Sequence, residues 1–233
     1  MKHLLTLWVA LTVVLPAAAQ DKESDRLGNA AIVISEIMGT PESSVPGDLL
    51  NQAVCVGIVP SQKKIALGIG GSYGRGALVC RRGGNGDWGA PSMFTIGGAN
   101  IGFQIGGQAT DIVFIVMNPR GALKLLQSKT KLGADASVAG GPVGRTASGA
   151  TDLQLHAEIL SYSRSRGLFA GVSLEGAMFK QDHSSNQKLY GQKLDPKEIL
   201  FTSKVPVPPA AKALVGMLQK YSPKGGSKMD MKD

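Results

Sequence analysis

Residues 54–80 read VCVGIVPSQKKIALGIGGSYGRGALVC, and this stretch decides the fold class. Val54, Cys55, Val56, Gly57, Ile58 and Val59 form a β-branched, apolar run that is expected to stop at Pro60, which cannot donate to a sheet ladder. Ile65, Leu67 and Ile69 then alternate with Ala66, Gly68 and Gly70. That period of two belongs to a strand. The small alternate residues imply a face closely approached by another layer, or a strongly curved sheet. Ser72, Tyr73 and Gly74 are expected to turn the chain, and residues 76–80 to return it.

The same texture continues outward. Ile101, Phe103 and Ile105 alternate with Gly102, Gln104 and Gly106, and residues 111–117 form a continuous apolar run suited to a central strand. Residues 131–141 read as strand. Leu153, Leu155, Ala157 and Ile159 alternate with Asp152, Gln154, His156 and Glu158, which predicts one wet face, and residues 168–180 alternate again. Helical spacing appears elsewhere. Leu27, Ala30, Ala31, Ile34, Ile37 and Met38 predict a helix over 24–38, with Ser24 as its N-cap and Gly39, Thr40 and Pro41 as its stop. Short helices are expected over 46–52 and 122–128, and a closing helix over 208–221, where Ala211, Leu214, Val215 and Leu218 share a face. The fold class is therefore α+β: a mainly antiparallel, Gly-rich, curved or barrel-like sheet with N-terminal, middle and C-terminal helices.

The ends carry a different signal. Lys2 and His3 precede an apolar run over 4–15, and Pro16, Ala17, Ala18 and Ala19 supply a small-residue cleavage pattern. Residues 1–19 are expected to be a signal peptide, because the apolar run is shorter than the roughly 20 residues a membrane span requires. Residues 20–222 are expected to form one domain and 223–233 a disordered tail rich in Lys, Gly and Asp. The product is then exported, periplasmic or secreted, and peripheral to a membrane at most. Export gives Cys55 and Cys80 an oxidising compartment. A bridge between them would contribute about 3 kcal/mol, and two buried thiols are the alternative. No Cys-x-x-Cys occurs and no metal site or cofactor is expected.

Composition narrows the function. Of 233 residues 31 are Gly, with no Gly-X-Y period, so collagen is excluded. Aromatics make up 5%, too few for a stacking platform, so nucleic acid is not expected. The formal net charge of +8 favours attraction to an anionic surface. Lys63, Lys64, Arg75, Arg81 and Arg82 fall at strand ends and loops, and Arg81 and Arg82 open a Gly-rich loop that holds Trp88. Cations beside an interfacial indole suit anionic lipid headgroups, which makes these six the candidate contacts. Gly70, Ser72 and Gly74 match G-x-S-x-G, but a nucleophile elbow needs a helix after the turn, and a strand-like run follows here. A serine hydrolase at Ser72 is a remote alternative. No phosphate-binding loop is present.

Longer runs carry a resemblance. They are Cys55-x-Gly57-Ile58-Val59-Pro60, the glycines at 68, 70, 71, 74 and 76, Trp88-x-Ala90-Pro91-Ser92, the run AGGPVGR over 139–145 and the run SYSRSRGLFAGVSLEG over 161–176. In order and content they resemble the SYLF domain family across about residues 27–220. The resemblance implies a non-catalytic phospholipid-binding module, here an exported bacterial member. In eukaryotic relatives such a module binds phosphoinositides and, in some fungal members, actin, beside a Src-homology-3 or similar domain. The family's lipid-binding amphipathic helix would correspond to residues 27–38. An exported product would not meet actin, so actin is not expected as a partner. The protein partner, if there is one, is left unnamed. An envelope scaffold that binds protein or polysaccharide is the alternative.

Overall fold

The structure is a computed structural model that describes residues 21–40, 45–67, 69–100, 106–144, 156–165 and 168–223. The leader over 1–19, the tail beyond 223 and the alternating segments over 101–105 and 151–155 lie outside the described residues. The chain opens with helix α1 (Asp21–Gly39) and the short α2 (Gly47–Gln52). Four long strands follow: β1 (Cys55–Leu67), β2 (Ile69–Cys80), β3 (Ser92–Asn100) and β4 (Gly106–Val116). Then come α3 (Pro119–Leu125), β5 (Thr130–Lys131), β6 (Val138–Gly140), β7 (Ile159–Ser165), β8 (Leu168–Gly171) and β9 (Met178–Gln181). Helices α4 (His183–Tyr190), α5 (Pro196–Phe201) and α6 (Lys212–Tyr221) complete the described chain.

The strands form one strongly curled sheet in the order β5-β9-β3-β2-β1-β4-β7-β6, with β8 also on β7. Every pairing is antiparallel except β6 with β7. The α+β, curled antiparallel fold is the one the alternation predicts. Its details differ in several places. First, β1 does not stop at Pro60. It runs through that residue as a bulge, with register shifts against both β2 and β4. Second, Ser72, Tyr73 and Gly74 are not a turn. Ser72 and Tyr73 are held in β2 by ladders on both sides, to Lys64 and Lys63 of β1 and to Gly98 and Gly97 of β3, while Gly74, opposite the bulge of β1, pairs with Ile96 of β3; these ladders outweigh local turn chemistry. Third, Ser24 lies inside α1, which begins three residues earlier. Finally, the alternation over 168–180 is split into β8 and β9, the strand expected over 131–141 is reduced to the end of β5 and to β6 with a turn between them, and α4 and α5 fill a stretch for which no element is expected.

The sheet separates two apolar layers. On one face Val56, Ile58, Val79 and Val113 pack against Leu27, Ala30, Ile34 and Ile37 of α1 and Leu214 and Leu218 of α6. Successive strand residues point to opposite faces, so Cys55, Val59, Leu78 and Phe94 fill the other face, with Phe114, Phe179, Leu125 of α3 and Leu200 of α5. Phe94, Phe114 and Phe179 meet there as a trio. Phe94 stacks on Phe179 at 4.6 Å between centroids, and Phe114 meets them edge-on at 5.6 and 6.2 Å. The backbone makes room for these rings at two glycines. A Cβ at Gly57 would enter the ring of Phe114, and one at Gly76 would strike the Phe94 ring and the Ile58 carbonyl. Cys55 and Cys80 are register partners in β1 and β2, fully buried, and the structure bridges them.

Gly57→Ala is therefore expected to destabilise the fold by at least about 1–3 kcal/mol through overpacking. Gly28→Ala, in α1 with open space around it, should stabilise by about 0.5–1 kcal/mol. Urea unfolding of both variants checks the pair.

Candidate functional site

The Pro60–Ser61 bulge is where the ladder yields. Ser61 has φ 56°, the one non-glycine positive φ among the described residues. Such strain persists only where surroundings hold it. The Ser61 N–H donates to Asp111 Oδ1 at 2.9 Å. Asp111 Oδ2 in turn forms an ion pair with Arg164 Nε at 3.0 Å, and Arg164 reaches Glu36 on α1. The bulge is thus tied through β4 and β7 to the first helix.

Beside the bulge lies a groove of about 420 Å³ between α1 and the β1–β2 hairpin. Lys22 and Arg26 contribute from α1, Lys63 from β1 and Arg75 from β2, with Asp25 as the one carboxylate in the lining. Tyr73 is the register partner of Lys63, is half exposed, and accepts from Arg75 Nε at 3.1 Å. Arg75 Nε also lies 4.0 Å from Asp182 Oδ2 at the start of α4. Arg26 is set deeper. Burial pulls its pKa down and Arg75 adds to the effect, against the pull of Glu23 and Asp182. Its Nη1 is buried and makes no hydrogen bond among the described residues. A desolvated guanidinium donor with no acceptor among the described residues, in a groove whose lining holds four cations and one carboxylate, is chemically suited to an anion.

The six sequence candidates are not gathered in one place. Lys63 and Arg75 line this groove. Lys64 pairs through its backbone with Ser72 and Gln108, and its side chain lies outside what is described. Arg82 lies on a separate groove with Lys212. Arg81 and Trp88 are inside the protein, 0% and 2% exposed. Arg81 donates from Nε to the Ala53 carbonyl at 3.1 Å, from Nη1 to Gly86 at 3.1 Å and from Nη2 to the Ser222 carbonyl at 3.0 Å. Its guanidinium carbon sits 4.1 Å from the centre of the Trp88 ring, and the indole N–H donates to the same Ser222 carbonyl at 3.0 Å. Burial pulls the Arg81 pKa down to about 10, against the opposing field of Asp87. These two residues fasten the C-terminal end of α6 to the start of the Gly-rich loop. Lys22 and Arg26, which are not among the sequence candidates, complete the groove instead. Their signal was proximity to the hairpin, which spacing along one helix does not carry.

Two other features are structural. Glu158 would be raised by its burial, yet Lys124, the Ser137 N–H and Arg120 together hold it below the ordinary 4.5. Lys124 Nζ donates to both its oxygens at 2.9 and 2.8 Å. Ser72 lies mid-strand, and its Oγ donates to the Gly98 carbonyl at 3.5 Å, so the strand–turn–helix setting of a nucleophile elbow is absent at that residue.

With this geometry in hand, comparison with known proteins defines the class. A family model described as "Ysc84: Las17-binding protein actin regulator" matches residues 97–221. The chain belongs to this family, whose domain is the SYLF domain of the resemblance above. It is 32% identical over 218 residues to LAS seventeen-binding protein 3 of Saccharomyces cerevisiae, covering 90% of this chain and 46% of that protein. It is 36% identical over 159 residues to SH3 domain-containing YSC84-like protein 1 of Rattus norvegicus, covering 64% and 46%. The Homo sapiens protein of the same name is 34% identical over 185 residues, covering 79% and 53%. The chain thus spans about half the length of the relatives it matches. The family description is that of an actin regulator and not of an enzyme. It overturns the expectation that sets actin aside, which rested on the leader alone.

Arg81→Ala is expected to cost about 3 kcal/mol or more, because it leaves buried carbonyls without donors, while Arg75→Ala stays within about 0.5 kcal/mol. Chemical denaturation distinguishes them. Glu158, whose folded pKa is depressed, contributes stability that is present above 4.5 and lost as pH falls through its folded value. The stability gap between the native chain and Glu158→Gln should therefore narrow on acidification from pH near 7 to about 3, as read by urea midpoints.

Proposed function

We propose that this chain is a non-catalytic module that binds anionic phospholipid surfaces through the groove between α1 and the β1–β2 hairpin. The observation that carries the reading is the lining itself: Lys22, Arg26, Lys63 and Arg75 against Asp25, with a buried Arg26 donor left open. A cation near a charged bilayer contributes about 1 kcal/mol, so four in one groove are enough for reversible binding. Tyr73, half exposed at the rim, suits the headgroup zone. Among the described residues no helix is long and apolar enough to cross a membrane. Export belongs to the same reading. It is supported by the leader pattern in residues 1–19 and is compatible with a bridge between Cys55 and Cys80. Arg81 and Trp88 serve this function only by holding the fold.

The second reading is a protein partner of the actin-regulatory kind, favoured by the family description. Co-sedimentation of the chain from Gln20 with phosphatidylcholine vesicles, with and without phosphatidylserine, separates the two. The lipid reading expects binding to the anionic vesicles alone, lost in high salt. The pair Lys63→Glu and Arg75→Glu should weaken it by at least about tenfold. Retention of full affinity by that double variant would remove the groove from consideration. Absence of vesicle binding, with capture of a protein ligand, would favour the second reading.

A further inference from the structure

The segment between α5 and α6 has a use that neither the groove nor the core explains. Residues 204–212 read KVPVPPAAK, with prolines at 206, 208 and 209. Proline fixes φ near −65°, and a residue before proline is driven to extended backbone. Val205, Val207 and Pro208 each precede a proline, so residues 205–208 are set toward polyproline II geometry by their own covalent structure, and a 3-10 turn over Pro209–Ala211 ends the run and leads into α6. Pro208 has φ −66° and ψ 153°, close to the ideal for that helix. A three-residue repeat puts Pro206 and Pro209 on the same edge.

The fold presents that edge outward. Val205 is 5% exposed and packs with Ala90 and Ile199, and Ala211 is fully buried under α1 and α6. Those two residues hold the segment down at both ends. Pro206 and Pro209 are exposed between them, and so are Lys204 and Lys212 on either side. The packing therefore uses Val205 and Ala211, while the two prolines at i and i+3 face solvent with a cation at each flank.

We propose that the P-x-x-P run over residues 206–209, flanked by Lys204 and by Lys212 at the start of α6, is a preformed ligand for a proline-recognising domain of the SH3 type. Such domains bind P-x-x-P in an aromatic-lined groove and gain from a ligand that is already in polyproline II form. An unfolded peptide must be ordered on binding, whereas this segment is ordered by its anchors beforehand. The flanking lysines select a groove with acidic residues at its rims. This goes beyond the lipid reading and does not depend on it, because the segment shares none of the groove residues.

The test titrates the full chain into the ¹⁵N-labelled SH3 domain of the human relative and follows amide shifts. The proposal expects shifts confined to the aromatic groove. It expects Pro206→Ala with Pro209→Ala to weaken binding by at least about tenfold, with the chain still folded and its melting temperature lowered by no more than the loss of two prolines accounts for. Lys204→Glu with Lys212→Glu alters no backbone preference set by proline, and should weaken binding severalfold and flatten its salt dependence. That variant decides the matter should the proline pair fail to fold. Absence of shifts at saturating chain, or undiminished affinity in the folded variants, overturns the proposal.

Discussion

Three phenylalanine rings packed into the hollow of a curled sheet set the shape of this protein. Phe94 on β3 and Phe179 on β9 come from neighbouring strands, whereas Phe114 sits on β4, three places along the sheet order from β3, and it reaches them because the sheet curls. The rings need depth, and Gly57 and Gly76 supply it by offering bare backbone under Phe114 and Phe94. Aromatic burial then rewards the same curvature that the glycines permit. The convex side is left to α1 and α6, whose apolar faces close the second layer. A bulge at Pro60 and Ser61 is the usual device for re-aiming a bent strand. Here it falls where β1 leaves the core and enters the hairpin that carries Lys63, Tyr73 and Arg75.

The two populations of arginine show how little residue type alone decides. Arg75 and Arg81 stand six positions apart around the C-terminal half of β2, and both follow small or apolar neighbours in sequence. Arg75 ends exposed beside Tyr73, while Arg81 ends fully buried with Trp88 stacked on it. The difference is made by Ser222, whose carbonyl accepts from both Arg81 and Trp88 although it lies more than a hundred residues away. A guanidinium whose donors all find carbonyls tolerates burial, at the expense of a lowered pKa. No spacing rule links residue 81 to residue 222, so the buried pair reads in sequence as a surface pair beside an interfacial indole.

Where the sequence could be read, the reading rested on period and on small residues. The alternation at 65–70 and the glycines opposite it led directly to a curved antiparallel sheet. The helix over 24–38 followed from apolar spacing, because α1 buries Leu27, Ala30, Ile34 and Ile37 on one stripe. Helix α4 escaped because its buried residues include Ser185 and Asn186. Asn186 accepts from the Met93 N–H at 2.7 Å and donates to Ser92 Oγ at 3.0 Å, so this helix docks through a polar network that apolar periodicity cannot register. The supposed turn at 72–74 failed for the opposite reason. Its Ser, Tyr and Gly have turn chemistry, but β3 pairs with all three and β1 with Ser72 and Tyr73. The groove was half legible: its hairpin cations stood out, and its helical cations were masked by the acids interleaved with them.

Helix α1 joins stability to the proposed site. Leu27, Ile34 and Ile37 seal one core layer, while Lys22 and Arg26 on the same helix form a wall of the groove. Glu36 at its other end reaches Arg164, which holds Asp111 and through it the strained Ser61. The helix therefore cannot leave the sheet without opening the groove and releasing the bulge. An anion bound between Arg26 and Arg75 would bind only the docked helix, and binding that excludes the undocked state stabilises the docked one by mass action, about 2.7 kcal/mol at a hundredfold excess over the dissociation constant. The reciprocal holds as well: any change that loosens the apolar stripe of α1 weakens the groove without touching a single cation, because the affinity of a site falls with the fraction of molecules in which the site exists.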